Sequence, residues 1–218
     1  MTTDEKLSLL YSYDAIPLTD EHFLVLQSLA SDRSRLVKSW VAKLLVNFSD
    51  EVSKSILIKL TQDKDSLVRT EAYDSLRIFA DDETEQFLKT AIGQEASALA
   101  RSYAILSWTD VKVARSNVSK ADTSFLEAQR KREQRVPLCR LNCYCGLYRF
   151  GDQTMLGPIL SFLKHKNYRT RCAAIHTLDG LMDGSTRDVI IEAVAQQLPL
   201  ETTVAVKSTI ETFLTDHR

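Results

Sequence analysis

The sequence predicts an all-α fold, a right-handed α-solenoid of about six helical hairpins. Three observations lead to this prediction. The 218 residues include only six Gly and four Pro, which favours helices with short connections over sheets that need many turns. Two sets of amphipathic segments alternate along the chain. The members of one set repeat a common pattern at intervals typical of stacked helical repeats.

The repeated pattern is a basic residue with mostly small or apolar residues one position before it and three and seven positions after it. These three positions are four residues apart, so they share one face of a helix and are the predicted core positions. The basic residue recurs at intervals of 31, 32, 39, 31 and 36 residues. Its six occurrences are Lys38, Arg69, Arg101, Arg140, Arg171 and Lys207.

The second set of segments supplies the other helix of each hairpin. Several begin with acids, as in Asp50-Glu51 and Asp81-Asp82-Glu83, which suits helix capping and the helix dipole. We expect a single domain over residues 1–218, with an N-terminal cap at 1–19 and a longer connection, an insertion, near 111–121. The second-set segments are residues 21–30, 51–61, 83–92, 123–133, 154–164 and 185–197.

The segment Asp65-Ser-Leu-Val-Arg69, continued by Ala72 and Leu76, resembles the second helix of a HEAT repeat. Six such units would cover nearly all of residues 20 to 216. In that family the recurring base commonly bonds an Asp in the turn of its own or the adjoining repeat. The resemblance therefore implies structural pairs of Arg69 with Asp65 and of Arg171 with Asn167. HEAT-like proteins include scaffolds, inhibitors, bilin lyase relatives and alkylpurine DNA glycosylases, so the resemblance implies a fold and leaves the function open.

A candidate binding site follows if the second helix of each hairpin lines a groove. The positions two and five residues after the basic residue then face that groove, and several of them carry rings or charges. Such a surface suits a basic or amphipathic segment of another protein, because the rings supply contact area and the carboxylates supply charge. The alternative is that the two aromatic residues pack between helices. The candidate residues are Trp40, Lys43, Glu71, Asp74 and Tyr103.

Charge is unevenly distributed, although the net charge is only −1. Residues 1–111 hold 12 basic and 18 acidic residues, residues 112–171 hold 13 and 4, and the remainder holds 3 and 7. The basic block either meets phosphates or an acidic partner, or is a solvated helix face. Its candidate basic patch consists of Arg130, Lys131, Arg132, Arg135 and Arg140.

The leading functional hypothesis is a non-enzymatic scaffold, adaptor or inhibitor. An immunity-type protein is one form that such an inhibitor takes. The sequence has no Gly-rich phosphate loop and no His-Glu-x-x-His motif, and we expect no cofactor. The alternative is a HEAT-like alkylpurine DNA glycosylase or another nucleic-acid-binding enzyme, with a carboxylate among Glu71, Asp74 and Asp110. A pI of about 6.4 and the core position of Trp108 weigh against that alternative.

Cysteine usage and hydropathy bear on compartment. Cys139, Cys143 and Cys145 crowd into one helical segment with neither a Cys-x-x-Cys pair nor a nearby His, which indicates buried core thiols and no metal site. No apolar run approaches the roughly 20 residues of a membrane span, and the N-terminus does not read as a signal peptide. We therefore expect a cytoplasmic protein without membrane partners.

Overall fold

The computed structural model describes residues 1–217. These residues form thirteen α-helices and four short 3-10 turns, with no strand among them, so the predicted all-α fold is confirmed. The helices are α1 (Thr3–Tyr13), α2 (Asp20–Leu29), α3 (Arg35–Leu44), α4 (Glu51–Leu60), α5 (Ser66–Leu76), α6 (Asp82–Gln94), α7 (Ala98–Ala114), α8 (Lys120–Arg132), α9 (Pro137–Arg149), α10 (Leu156–Ser161), α11 (Tyr168–Asp179), α12 (Arg187–Ala195) and α13 (Val204–Asp216).

The chain divides into two compact units, of which Met1–Asn117 is the first. Helices α2, α4 and α6 each pack on the helix that follows, which gives three hairpins. Helix α1 packs on α3, α3 on α5 and α5 on α7, so these four helices form a row. The predicted N-terminal cap over residues 1–19 thus contains a helix that packs on α3.

The predicted core positions of the first unit are buried. Ala72 of α5 and Ala104 of α7 leave room for a neighbouring helix to come close. The close approach is visible where the Ser75 hydroxyl of α5 donates a hydrogen bond of 2.8 Å to the backbone carbonyl of Ala42 on α3. The nine core positions with no exposed surface are Val37, Val41, Leu45, Val68, Ala72, Leu76, Ala100, Ala104 and Trp108.

Side-chain caps fix the starts of several helices. The Asp50 carboxylate accepts hydrogen bonds from the amides of Val52 and Ser53 at the start of α4. The Asp81 carboxylate accepts from the amide of Thr84 at the start of α6. Both acids belong to the acidic segments in which the sequence predicts helix starts, and each satisfies amides that have no partner within the helix.

Helix α7 extends into the segment for which the sequence predicts a connection. Residues 111–114 continue the helix, and only residues 115–119 lie between α7 and α8. Val111 is fully buried, and the buried Lys112 ammonium donates to the Glu85 carboxylate at 3.0 Å. These buried contacts with neighbouring residues explain the additional turn.

The second unit begins at Val118 and is described to His217. Helices α8, α10 and α12 pack on α9, α11 and α13, and α11 contacts both α9 and α13. One predicted core position differs from the expectation, because Phe213 fills the core while Leu214 is only partly buried. The core of this unit includes Leu141, Ile159, Ala174, Leu178, Ile190 and Ile210.

Candidate functional site

Trp40, Glu71 and Tyr103 occupy the same repeat position on the three successive helices α3, α5 and α7. Lys43 and Asp74 lie three residues later, about one helical turn, on α3 and α5. Because α3 packs on α5 and α5 packs on α7, these residues lie on adjacent helices, with Lys43 exposed and the other four half-buried. We call these five residues the strip.

Trp40 is bordered by a residue that the sequence did not indicate. The Tyr11 ring of α1 meets the Trp40 ring edge-on, with centroids 4.7 Å apart. The Lys43 ammonium lies 4.3 Å from the Trp40 ring centroid and also pairs with the Asp14 carboxylate at 2.8 Å. Trp40 therefore packs partly against α1. Its environment is intermediate between the two alternatives, a ring open to a partner and a ring enclosed between helices.

Glu71 is the half-buried carboxylate at the middle of the strip. Burial raises the pKa of Glu71, the negative charge of Asp74 raises it further, and the Lys43 ammonium lowers it. Neither a hydrogen bond nor an ion pair reaches the Glu71 carboxylate from any residue between 1 and 217. Asp74 differs, because Arg77 pairs with its carboxylate at 2.6 Å. Glu71 is thus the strip carboxylate whose charge is least compensated.

Tyr103 extends the strip onto α7. Burial raises the pKa of the Tyr103 phenol, and the charges of Asp74 and Glu71 raise it further. The charges of both carboxylates therefore act on the phenol. Tyr103 lies on α7, the helix that packs on α5 with its two strip carboxylates.

A pocket of about 270 Å³ opens beside one end of the strip. Lys43 and Asp74 line it together with Asp14, Ile16 and Arg77. Ile16 is 46% exposed, so the pocket adds apolar surface to a charged rim. A space of this size accommodates a long side chain from another molecule.

A second feature, which we call the ladder, links neighbouring repeats. In each rung of the ladder, a base on one odd-numbered helix pairs with an acid in the turn that precedes the next odd-numbered helix. The partners predicted for Arg69 and Arg171 are wrong, because Asp65 and Asn167 cap their own helices instead. The rungs are Lys6 with Asp32, Lys38 with Asp63, Arg69 with Glu95, and Arg171 with Glu201.

The basic patch lies on α8, on α9 and in the turn between them. Two of its members pair with nearby acids: Arg130 with Glu127 at 2.5 Å and Arg132 with Glu133 at 3.8 Å. Lys131 and Arg135 are exposed, and Arg140 lies half-buried on α9. The patch therefore carries less uncompensated positive charge than its sequence indicates.

Two residues considered for the alternative enzymatic site, Trp108 and Asp110, lie outside the strip. Trp108 is fully buried, and Asp110 is half-buried near the C-terminal end of α7. Cys139, Cys143 and Cys145 are buried thiols outside any disulfide, as predicted, and burial raises the pKa of the Cys143 thiol. Across residues 1–217, no group of three His, Cys, Asp or Glu side chains is placed to hold a metal ion. No helix in that range is both long and apolar enough to cross a membrane.

Comparison with known proteins identifies the repeats. Residues 24–108 match the family model of HEAT repeats, whereas no curated protein matches the sequence. Among solved structures, the fold is similar to that of a chain in the complex of CpcE and CpcF of phycocyanin lyase from Nostoc sp. PCC7120. The TM-score is 0.64 at 11% sequence identity, and the match covers 100% of this chain and 91% of that chain. Residues 24–108 are therefore assigned to HEAT repeats, and the chain as a whole has a similar fold to that solved structure.

Proposed function

We propose that this protein is a non-enzymatic binding protein, a scaffold, adaptor or inhibitor, which holds a segment of another protein on the strip. The observation that carries the proposal is the Glu71 carboxylate, which is half-buried on the helix between those that carry Trp40 and Tyr103 and has no ion pair in the described chain. A cation that arrives with a partner stabilises a carboxylate in this setting.

The chemistry of the strip indicates what the segment contains. A Lys or Arg side chain that reaches Glu71 also contacts the ring faces of Trp40 and Tyr103, where cation–π attraction adds to the ion pair. The fold similarity gives independent support, since that solved structure is a complex of two different chains. We propose that binding takes place in the cytoplasm, a compartment that suits four cysteines that form no disulfide.

The test is affinity capture from the cells of origin, followed by mass spectrometry. The wild-type protein should recover one stoichiometric protein, and Trp40→Ala and Glu71→Lys should lose it. Leu24→Ala is the matched control, because Leu24 is an apolar residue of α2 that is 63% exposed and lies outside the strip. Recovery that is equal for all four proteins would exclude the strip as the binding surface. Release of bases from alkylated DNA by the purified protein would overturn the proposal in favour of a glycosylase.

A further inference from the structure

The acids of the ladder share a second hydrogen bond. Each of them accepts a hydrogen bond from the backbone amide of the residue two positions later, just before the next odd-numbered helix begins. This bond fixes the carboxylate in the turn, ready to receive the base of the preceding repeat. The four amides belong to Ser34, Asp65, Ser97 and Thr203.

His165 occupies this position in the turn before α11. Its Nδ1 accepts a hydrogen bond of 3.1 Å from the amide of Asn167. In the same way, the carboxylate of Glu95 accepts a hydrogen bond of 2.6 Å from the amide of Ser97. His165 lies 25 residues after Arg140, the same separation as that from Lys38 to Asp63. The rung that begins at Arg140 therefore has an imidazole where the other rungs have a carboxylate.

The Arg140 side chain is oriented like its counterparts in the complete rungs. Its Nη1 donates to the carbonyl of Gln134, six residues earlier, at 3.4 Å. Arg69 and Arg171 direct Nη1 to the carbonyl six residues earlier at 2.8 Å and 2.7 Å. In these two residues the remaining edge, Nε and Nη2, binds both oxygens of a Glu.

The same edge of Arg140 has no carboxylate. Its Nη2 donates to the Tyr144 hydroxyl at 3.3 Å, a long bond, and no acid within residues 1–217 pairs with Arg140. A second guanidinium, that of Arg130, lies 5.4 Å from the centroid of the Tyr144 ring. Burial alone would raise the pKa of the Tyr144 phenol, but hydrogen bonds from Arg140 and Arg130 hold it below its ordinary value. The positive charge at this rung is therefore concentrated and incompletely paired.

We propose that the Arg140 rung is a carboxylate-binding site, which takes a Glu or Asp side chain from an acidic segment of a partner protein. The equivalent edges of Arg69 and Arg171 already hold Glu carboxylates in the two-bond geometry that a planar guanidinium favours. Exposed Lys131 and Arg135 nearby add long-range attraction for an acidic segment. This site is separate from the strip and would give the protein a second, oppositely charged binding surface.

A carboxylate fits the rung better than the phosphates of a nucleic acid. Two acids, Glu127 and Glu133, lie within the basic patch and already pair with Arg130 and Arg132. Nucleic acid affinity depends on neutralising many phosphates in a row. A patch with these acids offers too few free cations for that, whereas one carboxylate needs a single guanidinium edge.

The experiment measures fluorescence anisotropy of a labelled peptide of alternating Glu and Ser residues. The wild-type protein should bind this probe with an affinity that falls as salt rises. Arg140→Gln should weaken binding by about 10-fold or more, because it removes the guanidinium edge. His165→Glu should weaken binding equally and raise the melting temperature by roughly 2 to 4 °C, because it supplies the missing carboxylate from within the chain. Arg135→Gln, the control for loss of one exposed charge, should change the affinity less than about 3-fold.

The two rung variants keep the proposal falsifiable even if one of them does not fold. Circular dichroism of each variant identifies a folding failure. If Arg140→Gln does not fold, the affinity of His165→Glu for the peptide tests the proposal. A wild-type protein that does not bind the peptide would overturn the proposal, as would His165→Glu binding it with wild-type affinity. Binding of a labelled single-stranded oligonucleotide that requires Arg140, without binding of the peptide, would assign the site to phosphates instead.

Discussion

The Arg69 guanidinium donates to both oxygens of the Glu95 carboxylate, from Nε and from Nη2, at 2.8 Å each. Burial alone would raise the pKa of Glu95, but Arg69 and the amide of Ser97 hold it below its ordinary value. The pair joins α5 to the turn before α7, so a single rung links one repeat to the next. Because each unit of a repeat array contacts chiefly its neighbours, such links contribute directly to stability.

Glu95→Gln should lower the free energy of unfolding by about 3 kcal/mol, because it leaves the largely buried Arg69 guanidinium without its counter-charge. The measurement is urea denaturation. Asp14→Asn is the matched control, since it breaks the Lys43–Asp14 pair, in which the side chains are 45% and 42% exposed. The control should cost less than about 1 kcal/mol. Equal losses in the two variants would show that the ladder does not stabilise the repeats.

Acid should weaken the Arg171–Glu201 rung at a definite pH. The Arg171 guanidinium and nearby backbone amides lower the pKa of Glu201 from 4.5 to about 2. A lowered pKa in the folded state means that the stabilisation is complete above the unfolded value and is lost as the pH falls towards the folded value. The urea midpoint of the wild type should therefore drop as the pH falls from 4.5 to about 2.

Glu201→Gln isolates this effect from the titration of other carboxylates. The variant should have a lower urea midpoint near neutral pH and a shallower loss over the same acid range. The difference between the two proteins should shrink as the pH approaches the folded pKa. A difference that stays constant with pH would show that ionisation of Glu201 does not stabilise the fold.

The core register was predictable from the sequence, but the ladder partners were not. Positions four residues apart define a helix face locally, so burial of Val68, Ala72 and Leu76 follows from spacing alone. The acid of a rung lies in a different repeat, and its identity varies among Asp, Glu and, before α11, His. A local signal does exist, since each acid stands two residues before a turn residue such as Ser97 or Thr203.

Helix α1 shows why the edge of the strip was also missed. Lys6 takes the basic position of a rung, but Glu5 precedes it where Val, Ala or Cys precedes most other bases. Without that apolar residue the repeat pattern is not recognisable in residues 1–19. The contact of Tyr11 with Trp40 depends on the packing of α1 on α3, which only the folded chain reveals.

Ala72→Leu should destabilise the first unit by about 1 to 3 kcal/mol, because Ala72 is fully buried in α5 and leaves no space for a larger side chain. Ser55→Leu, at an exposed position of α4, is the control and should change the free energy of unfolding by less than about 0.5 kcal/mol. Thermal and urea denaturation measure both variants. A neutral result for Ala72→Leu would contradict the tight packing between neighbouring helices of the row.

The arrangement of the strip predicts how much the Trp40 ring and the Glu71 charge each contribute to the affinity for the captured partner. Trp40→Ala should weaken binding by on the order of 2 kcal/mol, the cost of removing a central aromatic residue. Glu71→Gln should cost on the order of 1 kcal/mol, because it keeps the shape of the side chain and removes its charge. Isothermal titration calorimetry measures both variants, with Leu24→Ala again as the control.

The pH dependence of the same titration separates the role of the Glu71 charge from its packing. Only the ionised carboxylate attracts a cation, and burial has raised the pKa of Glu71 in the free protein. As the pH is lowered, the affinity should therefore begin to fall at a higher pH than it would for a Glu with an ordinary pKa. Glu71→Gln should not show this decline. A wild type and a Glu71→Gln variant with the same pH profile would mean that the partner brings no cation to Glu71. The strip would then bind through Trp40 and Tyr103 alone, and the segment that it holds would be apolar rather than basic.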